Sequence, residues 1–302
     1  MNGIIVVDKP PGMTSAQVVT RVKRILKAKK VGHTGTLDPF ATGVLVCCIN
    51  KATRLARFLM YGIKRYVGVM RLGIRTDTQD LTGRVVSTEP DLRVTDRDVR
   101  KVFLGFLEVK YQNPPAYSAL KHHGVPLYRL ARRGTFVQKP PRPISIYGLE
   151  VLDITLPHVR FKVCCSAGVY IRTLCANMGD ALGCGGHLTR LCRTETGGFS
   201  LDEAISLNAL EGLAATGEIS NRIIPMSIAL RRMPGILAND ELVQKIEQGR
   251  PVTGQEVAAV RLPRACPWIK VTDTRGNLIA VLSSSKKNGV YPYACVFPVR
   301  ES

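Results

Sequence analysis

Apolar and polar positions along the chain change period several times, and each change marks an element. Ile4, Ile5, Val6 and Val7 form a short continuous apolar run that stops at Pro10–Pro11–Gly12, the pattern of a buried strand followed by a turn. Thr14 with Gln17 three residues later is a capping-box signature. Val18, Val19, Val22, Ile25 and Leu26 then recur on one face of the helix it starts. "GVLVCCIN" reads as a second buried strand and "KATRLARFLM" as a short basic helix. "KRYVGVMRLG" alternates with period two and leads into "IRTDTQDLTGRVV", a turn-rich hairpin connection. Thr95 begins a helix over "DRDVRKVFLGFL", and "VRFKVCCSAGVYIRTLCANMGDALG" reads as strand, turn and helix. Pro225 and Pro234 then break the pattern. The remainder, from "LANDELVQKIEQG" through the hairpin turn "TRGN", predicts one helix and several strands. A large domain over 1–231 and a small β-rich domain over 232–302 follow from this layout, in a chain of 302 residues.

Composition narrows the class. A 45% hydrophobic fraction suits a globular protein. No apolar run reaches the roughly 18 residues of a membrane span, and "MNGIIVVDKPPG" lacks a signal-peptide layout, so a cytoplasmic protein with no membrane association is expected. The nine cysteines contain no C-x-x-C pair and read as reduced core residues. Charge changes the picture most. With 43 Lys and Arg against 23 Asp and Glu, the net charge is +20, which points to an anionic partner, nucleic acid above all.

That charge is clustered. Residues 1–76 hold 14 Lys and Arg but only Asp8 and Asp38 as acids. The polar face of the first helix carries Arg21, Lys23, Arg24, Lys27, Lys29 and Lys30 with no acid among them, as a phosphate-facing surface would. Between Val109 and Leu149 there is no acid, while seven basic residues are interleaved with Tyr117, His122, His123 and Tyr128. Basic and aromatic side chains together suit unpaired RNA, whose bases stack on rings while its phosphates meet cations.

Asp38, in "KVGHTGTLDPFATGVL", is the conspicuous exception to this positive surrounding. Locally it reads as a turn aspartate before a proline. A single carboxylate in a positive cleft also has the properties of a nucleophile or an electrostatic stabiliser. "GHTGTLDPFATGVL" resembles the catalytic-aspartate motif of the TruB family of pseudouridine synthases. Further segments resemble that family in the same order: "GIIVVDKPPGMTS", "KRYVGVMRLGIRTDTQDLTG", "NPPAYSALKHHGVPLYRLARRG", "CCSAGVYIRTL" and "GGHLTRLCRTETGGFSLDEA". The tail resembles the PUA domain carried at this family's C-terminus.

The resemblance implies an α+β pseudouridine synthase fold, with a mixed, largely antiparallel sheet flanked by helices, plus a PUA-like domain. It implies isomerisation of uridine 55 in the T-loop of tRNA by base flipping, with no cofactor or metal. Asp38 would act on the flipped nucleotide as nucleophile or as the group assisting uracil departure. Tyr66 resembles the family tyrosine that stacks on uracil and accepts a proton, and Arg172 the basic residue paired with the aspartate. His33 resembles the residue filling the vacated stack. Lys9 resembles the N-terminal lysine near the site, and Thr36, Tyr170 and Leu174 fall in pocket positions. Lys121 and Arg132 lie in the substrate-loop region, where they would meet RNA.

Val169 and Asn177 depart from the family's usual threonine and acid, which touches packing around the site rather than its chemistry. Asp77 and Asp80 in "TDTQD" are too few for a metal site. A stand-alone tRNA-modifying monomer without an obligate protein partner is the expectation. The alternatives are a guide-RNA-dependent synthase of H/ACA particles and a non-enzymatic RNA-binding or tRNA-folding module. The first usually carries a longer N-terminal extension and basic tails. The second has no need of Asp38, Tyr66 and Arg172 together.

Overall fold

The computed structural model describes residues 1–257 and 266–298. Residues 258–265 and 299–302 of the predicted small domain lie outside the described residues. The central sheet is built from β1 (Gly3–Lys9), β2 (Val31–His33), β3 (Thr42–Ile49), β4 (Lys64–Leu72), β5 (Ile146–Thr155), β6 (His158–Cys165), β7 (Gly186–Thr196) and β8 (Ile205–Ser206). Its order is β5-β6-β4-β7-β3-β1-β8, with β2 on β3 and a short strand, Phe199–Ser200, on β7. The β1–β8 and β7–β3 pairs are parallel and the other pairs antiparallel, so the expected mixed, largely antiparallel sheet is present.

Five helices matter for the site and its support: α1 (Ser15–Ile25), α2 (Asp96–Gly105), α3 (Leu127–Arg132), α4 (Ile171–Ala181) and α5 (Leu207–Thr216). The capping box Thr14–Gln17 starts α1, and an equivalent Thr95–Asp98 box starts α2. β1 is apolar at every core position because both of its faces are covered. Ile5 and Val7 pack with Val18 and Val22 of α1 and Leu210 of α5. Ile4 and Val6 face the opposite way. On α1, Arg21 departs from the expected phosphate-facing role: it pairs with Glu211 of α5 at 2.9 Å. Lys23, Arg24, Lys27, Lys29 and Lys30 remain exposed.

Beyond Pro234, β9 (Gly235–Leu237), β10 (Trp268–Thr272), β11 (Leu278–Ser283) and β12 (Tyr293–Val296) form a four-stranded sheet, with helix α6 (Asp240–Glu247) packed beside it. The "TRGN" turn joins β10 to β11, with Asp273 Oδ1 accepting from the amides of Arg275 and Asn277. The unit has its own core around Ile269, Val271 and Leu282. Leu278, Val281, Cys295 and Phe297 belong instead to the cluster formed by Ile4, Val6, Val44 and Val46. "KATRLARFLM" folds as a 3-10 segment, Asn50–Leu55, and one α turn, Ala56–Leu59. Its arginines clamp the C-terminal unit: Arg54 donates to Val296 O at 2.6 Å and Arg57 to Ala294 O.

Gly43 shows how closely the strands approach below the site. It has φ +97°, and a Cβ there would stand 2.9 Å from the backbone nitrogen of Arg193 and nearer still to its carbonyl oxygen. Gly43→Ala should therefore destabilise the fold by about 3 kcal/mol through backbone strain and forced strand separation. Urea denaturation checks this, and an unchanged midpoint would refute it. Among the described residues no helix is long and apolar enough to cross a membrane.

Candidate active site

Asp38 sits in the connection between β2 and β3, and that connection is tied down from several directions. Ser15 at the start of α1 exchanges bonds with Leu37: its Oγ accepts from the Leu37 amide at 2.9 Å and donates to the Leu37 carbonyl at 3.1 Å. The Gly12 amide donates to Pro39 O at 2.8 Å, and the Ala41 amide turns back to Asp38 O at 3.1 Å. Lys9 is wholly buried, and its ammonium donates to the carbonyls of Pro10, Pro39 and Ala41 at 2.9, 3.0 and 2.7 Å. All three of its protons are thus used. Burial lowers its pKa to about 8, against the opposing pull of Asp38. Lys9 braces the backbone of the loop that carries Asp38.

Arg172 meets Asp38 from the first turn of α4. Its Nε donates to Oδ2 at 2.8 Å and its Nη2 to Oδ1 at 3.2 Å, a two-bond fork that fixes the plane of the carboxylate. The remaining donors reach Thr78 O at 2.8 Å and Tyr117 O at 3.0 Å. Asp80 lies 3.5 Å from Nε and is held by the Thr78 and Thr82 hydroxyls. One cation thereby gathers Asp38, the 76–82 turn and the start of the basic–aromatic segment. The Arg172 side chain is 5% exposed and that of Asp38 33%, so the carboxylate is the open member of the pair. Gln112 steadies the entry to α4, accepting from the Tyr170 amide at 2.8 Å and donating to its carbonyl at 3.0 Å.

Tyr66 on β4 is buried, and burial pushes its phenol up, outweighing the Arg193 guanidinium nearby, so the resting group is a neutral phenol. Register places Arg193 of β7 directly opposite Tyr66, on the same face of the sheet. His33 is half-buried at the end of β2. Its Nδ1 accepts from the Gly35 amide at 3.3 Å, and burial holds its pKa below the usual histidine value. Lys64, beside Tyr66 in sequence, is 7% exposed and donates to the carbonyls of Met60 and Gly62.

Burial, reinforced by Arg193, lowers the Lys64 pKa to about 8 from its ordinary 10.5. Between these values the unfolded chain binds a proton that the folded protein does not, so this lysine makes stability rise with pH across that window. Urea midpoints for the protein and Lys64→Met should diverge in the parent's favour between pH 8 and pH 10. An unchanged difference would refute the assignment.

The structure thus brings Asp38, Arg172, Tyr66, Lys9, His33 and Tyr170 to one place. Thr36 is exposed beside them, and its carbonyl faces Arg193 Nη1 at 3.5 Å. Leu174 belongs to the same buried cluster as Tyr66. At 1% exposure on the apolar face of α4, it packs in the core with Tyr66 and Phe161. Lys121 and Arg132 stand outside the cluster on exposed positions of the 121–134 segment, with Arg132 lying 5.7 Å over the Tyr128 ring. Asp80, Gln112 and Arg193 are the site residues that motif reading missed. For Arg193 a signal existed, since it shares strand parity with apolar Leu191. Among the described residues, no group of three or more His, Cys, Asp or Glu is placed to hold a metal ion.

A family model described as the N-terminal domain of TruB family pseudouridylate synthases matches residues 23–171. One described as the tRNA pseudouridylate synthase B C-terminal domain matches residues 172–232. The chain is 41% identical over 285 residues to the tRNA pseudouridine synthase B of Syntrophus aciditrophicus, covering 93% of this chain and 90% of that one. It is 44% identical over 257 residues to its namesake in Geobacter sulfurreducens, covering 85% and 84%. Among solved structures, a chain of a Cbf5-Nop10-Gar1 complex superposes with a TM-score of 0.75 at 28% identity, over 97% of this chain and 84% of that one. A chain of an H/ACA RNP bound to a substrate RNA containing 2'-deoxyuridine gives 0.73 at 26%, over 98% and 84%.

Proposed function

Because the chain belongs to the TruB family of pseudouridylate synthases, we propose that it isomerises uridine 55 in the T-loop of tRNA, working alone in the cytoplasm as a monomer. The observation that carries this reading is the Asp38–Arg172 pair: a fixed, one-third exposed carboxylate in a chain of net charge +20. The reaction breaks the N1–C1′ bond and makes a C5–C1′ bond, with no net change in atoms. Its target must leave the base stack before any side chain can reach C1′. Asp38 then acts as nucleophile or as the group that assists uracil departure, with the Arg172 fork holding its orientation while the base turns. Tyr66 supplies a neutral aromatic face, and His33, Thr36 and Tyr170 are assigned to the pocket around the flipped base. His33 is assigned to fill the stack that the base vacates.

Lys121, Arg132 and the acid-free segment around them are assigned to phosphates and unpaired bases. Residues 232–302 are assigned as a PUA-like RNA-binding domain. Relatives named tRNA pseudouridine synthase B, at 41–44% identity, support tRNA as substrate. The H/ACA neighbours favour a second reading, in which a guide RNA selects the uridine. Incubating the purified protein with an unmodified tRNA transcript, free of guide RNA and other proteins, and mapping pseudouridine at nucleotide resolution separates the two. Conversion of the T-loop uridine alone is expected. No conversion, or conversion elsewhere, would overturn the proposal, and activity only with a guide RNA would establish the second reading.

A further inference from the structure

Arg193 is 1% exposed, and among the described residues it has no carboxylate partner. A guanidinium left in the interior without an anion is costly unless its donors are used, and an apolar residue of similar size would serve stability as well or better. Its donors are used in a particular way. Nε reaches Val44 O at 2.8 Å, Nη2 reaches Gly35 O at 3.0 Å and Nη1 faces Thr36 O at 3.5 Å. Gly35 and Thr36 precede Asp38 and Val44 follows it, so one planar fork spans both ends of the loop that presents the carboxylate. The same residue lies opposite Tyr66 in register. Gly43, which lacks a Cβ, lets β3 come close enough to β7 for the fork to reach.

We propose that Arg193 is a positioning residue for this reaction: by drawing the carbonyls of Gly35, Thr36 and Val44 onto one guanidinium, it sets where the Asp38 carboxylate stands relative to Arg172 and Tyr66. The inference rests on the reading of Asp38 as the catalytic group. The spread of the guanidinium is the required property, since Val44, Thr36 and Gly35 are each met by a different nitrogen, whereas an ammonium at this position keeps the charge but carries all its donors on one atom. Arg193 also depresses the pKa values of His33, Lys9 and Lys64, as a buried, permanently charged neighbour would.

The test compares Arg193→Lys and Arg193→Met with the parent protein. Amide hydrogen exchange is measured without RNA. Binding and single-turnover rate are measured on an unmodified T-stem-loop RNA labelled with tritium at uridine C5. For Arg193→Lys we expect faster exchange confined to residues 34–44, RNA affinity within about threefold of the parent, and a rate lower by about 30-fold or more. Arg193→Met should be slower still. If it does not fold, the lysine variant decides alone. A lysine variant with the parent's rate overturns the inference. So does a rate that falls only in proportion to affinity, or a slowed rate with unchanged exchange in the loop. If the parent itself releases no tritium from this RNA, the functional reading fails. Loop exchange then still decides whether Arg193 holds the loop.

Discussion

Asp38→Asn should bind unmodified tRNA with nearly the parent's affinity and form no measurable pseudouridine. The substitution keeps the shape of the side chain and one oxygen for the Arg172 fork, so the loop held by Ser15, Lys9 and Arg193 has no reason to move. What it removes is the charge that attacks C1′ or assists departure of the uracil. Deleting such a group in other enzymes costs about 10⁴-fold or more in rate. RNA affinity comes largely from cations meeting phosphates, and replacing one carboxylate in a chain of net charge +20 subtracts nothing from them. Single-turnover kinetics beside filter binding measures the two quantities separately. A variant that modifies tRNA at the parent's rate would remove Asp38 from the mechanism. One that fails to bind would make it a structural residue.

Arg172→Met should cost both activity and stability. The methionine leaves Asp38 and Asp80 without their shared cation and the carbonyls of Thr78 and Tyr117 without a donor. Breaking a buried ion pair from one side typically costs 3–5 kcal/mol. The lower end, about 3 kcal/mol, is expected because Asp38 is open enough to be rehydrated and Asp80 keeps its threonine bonds. The catalytic rate should fall by about 10³-fold, since a carboxylate free to rotate seldom meets C1′ in a productive orientation. Arg172→Lys should recover most of the stability but remain about 10²-fold slow, because one ammonium cannot hold both carboxylate oxygens in a plane. Urea denaturation and single-turnover rates on the same preparations test the pair. A lysine variant as fast as the parent would show that charge alone suffices.

The strands and helices that frame the site were legible because local rules and tertiary packing agree there. The Thr14–Gln17 box starts α1 where it should, and the apolar runs of β1 and β3 are strands covered on both faces. The Asp38 motif was legible as an isolated carboxylate, and family resemblance supplied its partners Tyr66 and Arg172. What periodicity could not reveal is which buried polar groups face one another across the sheet. Lys9 looks like an ordinary basic residue, and the parity of Arg193 with Leu191 says only that it points inward, until β3 is laid between β1 and β7. Their partners are backbone carbonyls, which carry no signature in a side-chain pattern. Arg21, Arg54 and Arg57 mislead in the opposite direction. They swell a basic stretch that reads as RNA-facing, yet they hold Glu211 and the C-terminal strands.

The cluster shared by Ile4, Val6, Val46, Val281 and Phe297 joins residues nearly three hundred positions apart. β1 has parallel partners only at Ile205 and Ser206, and the cluster on its Ile4 and Val6 face is completed by Val281, Cys295 and Phe297. Contacts of such long sequence separation form slowly, because the loop-closure entropy comes first. Until those distant residues arrive, β1 keeps an apolar face only partly covered. The same strand order that gives Asp38 a rigid seat makes the folding step before that closure the one most exposed to aggregation.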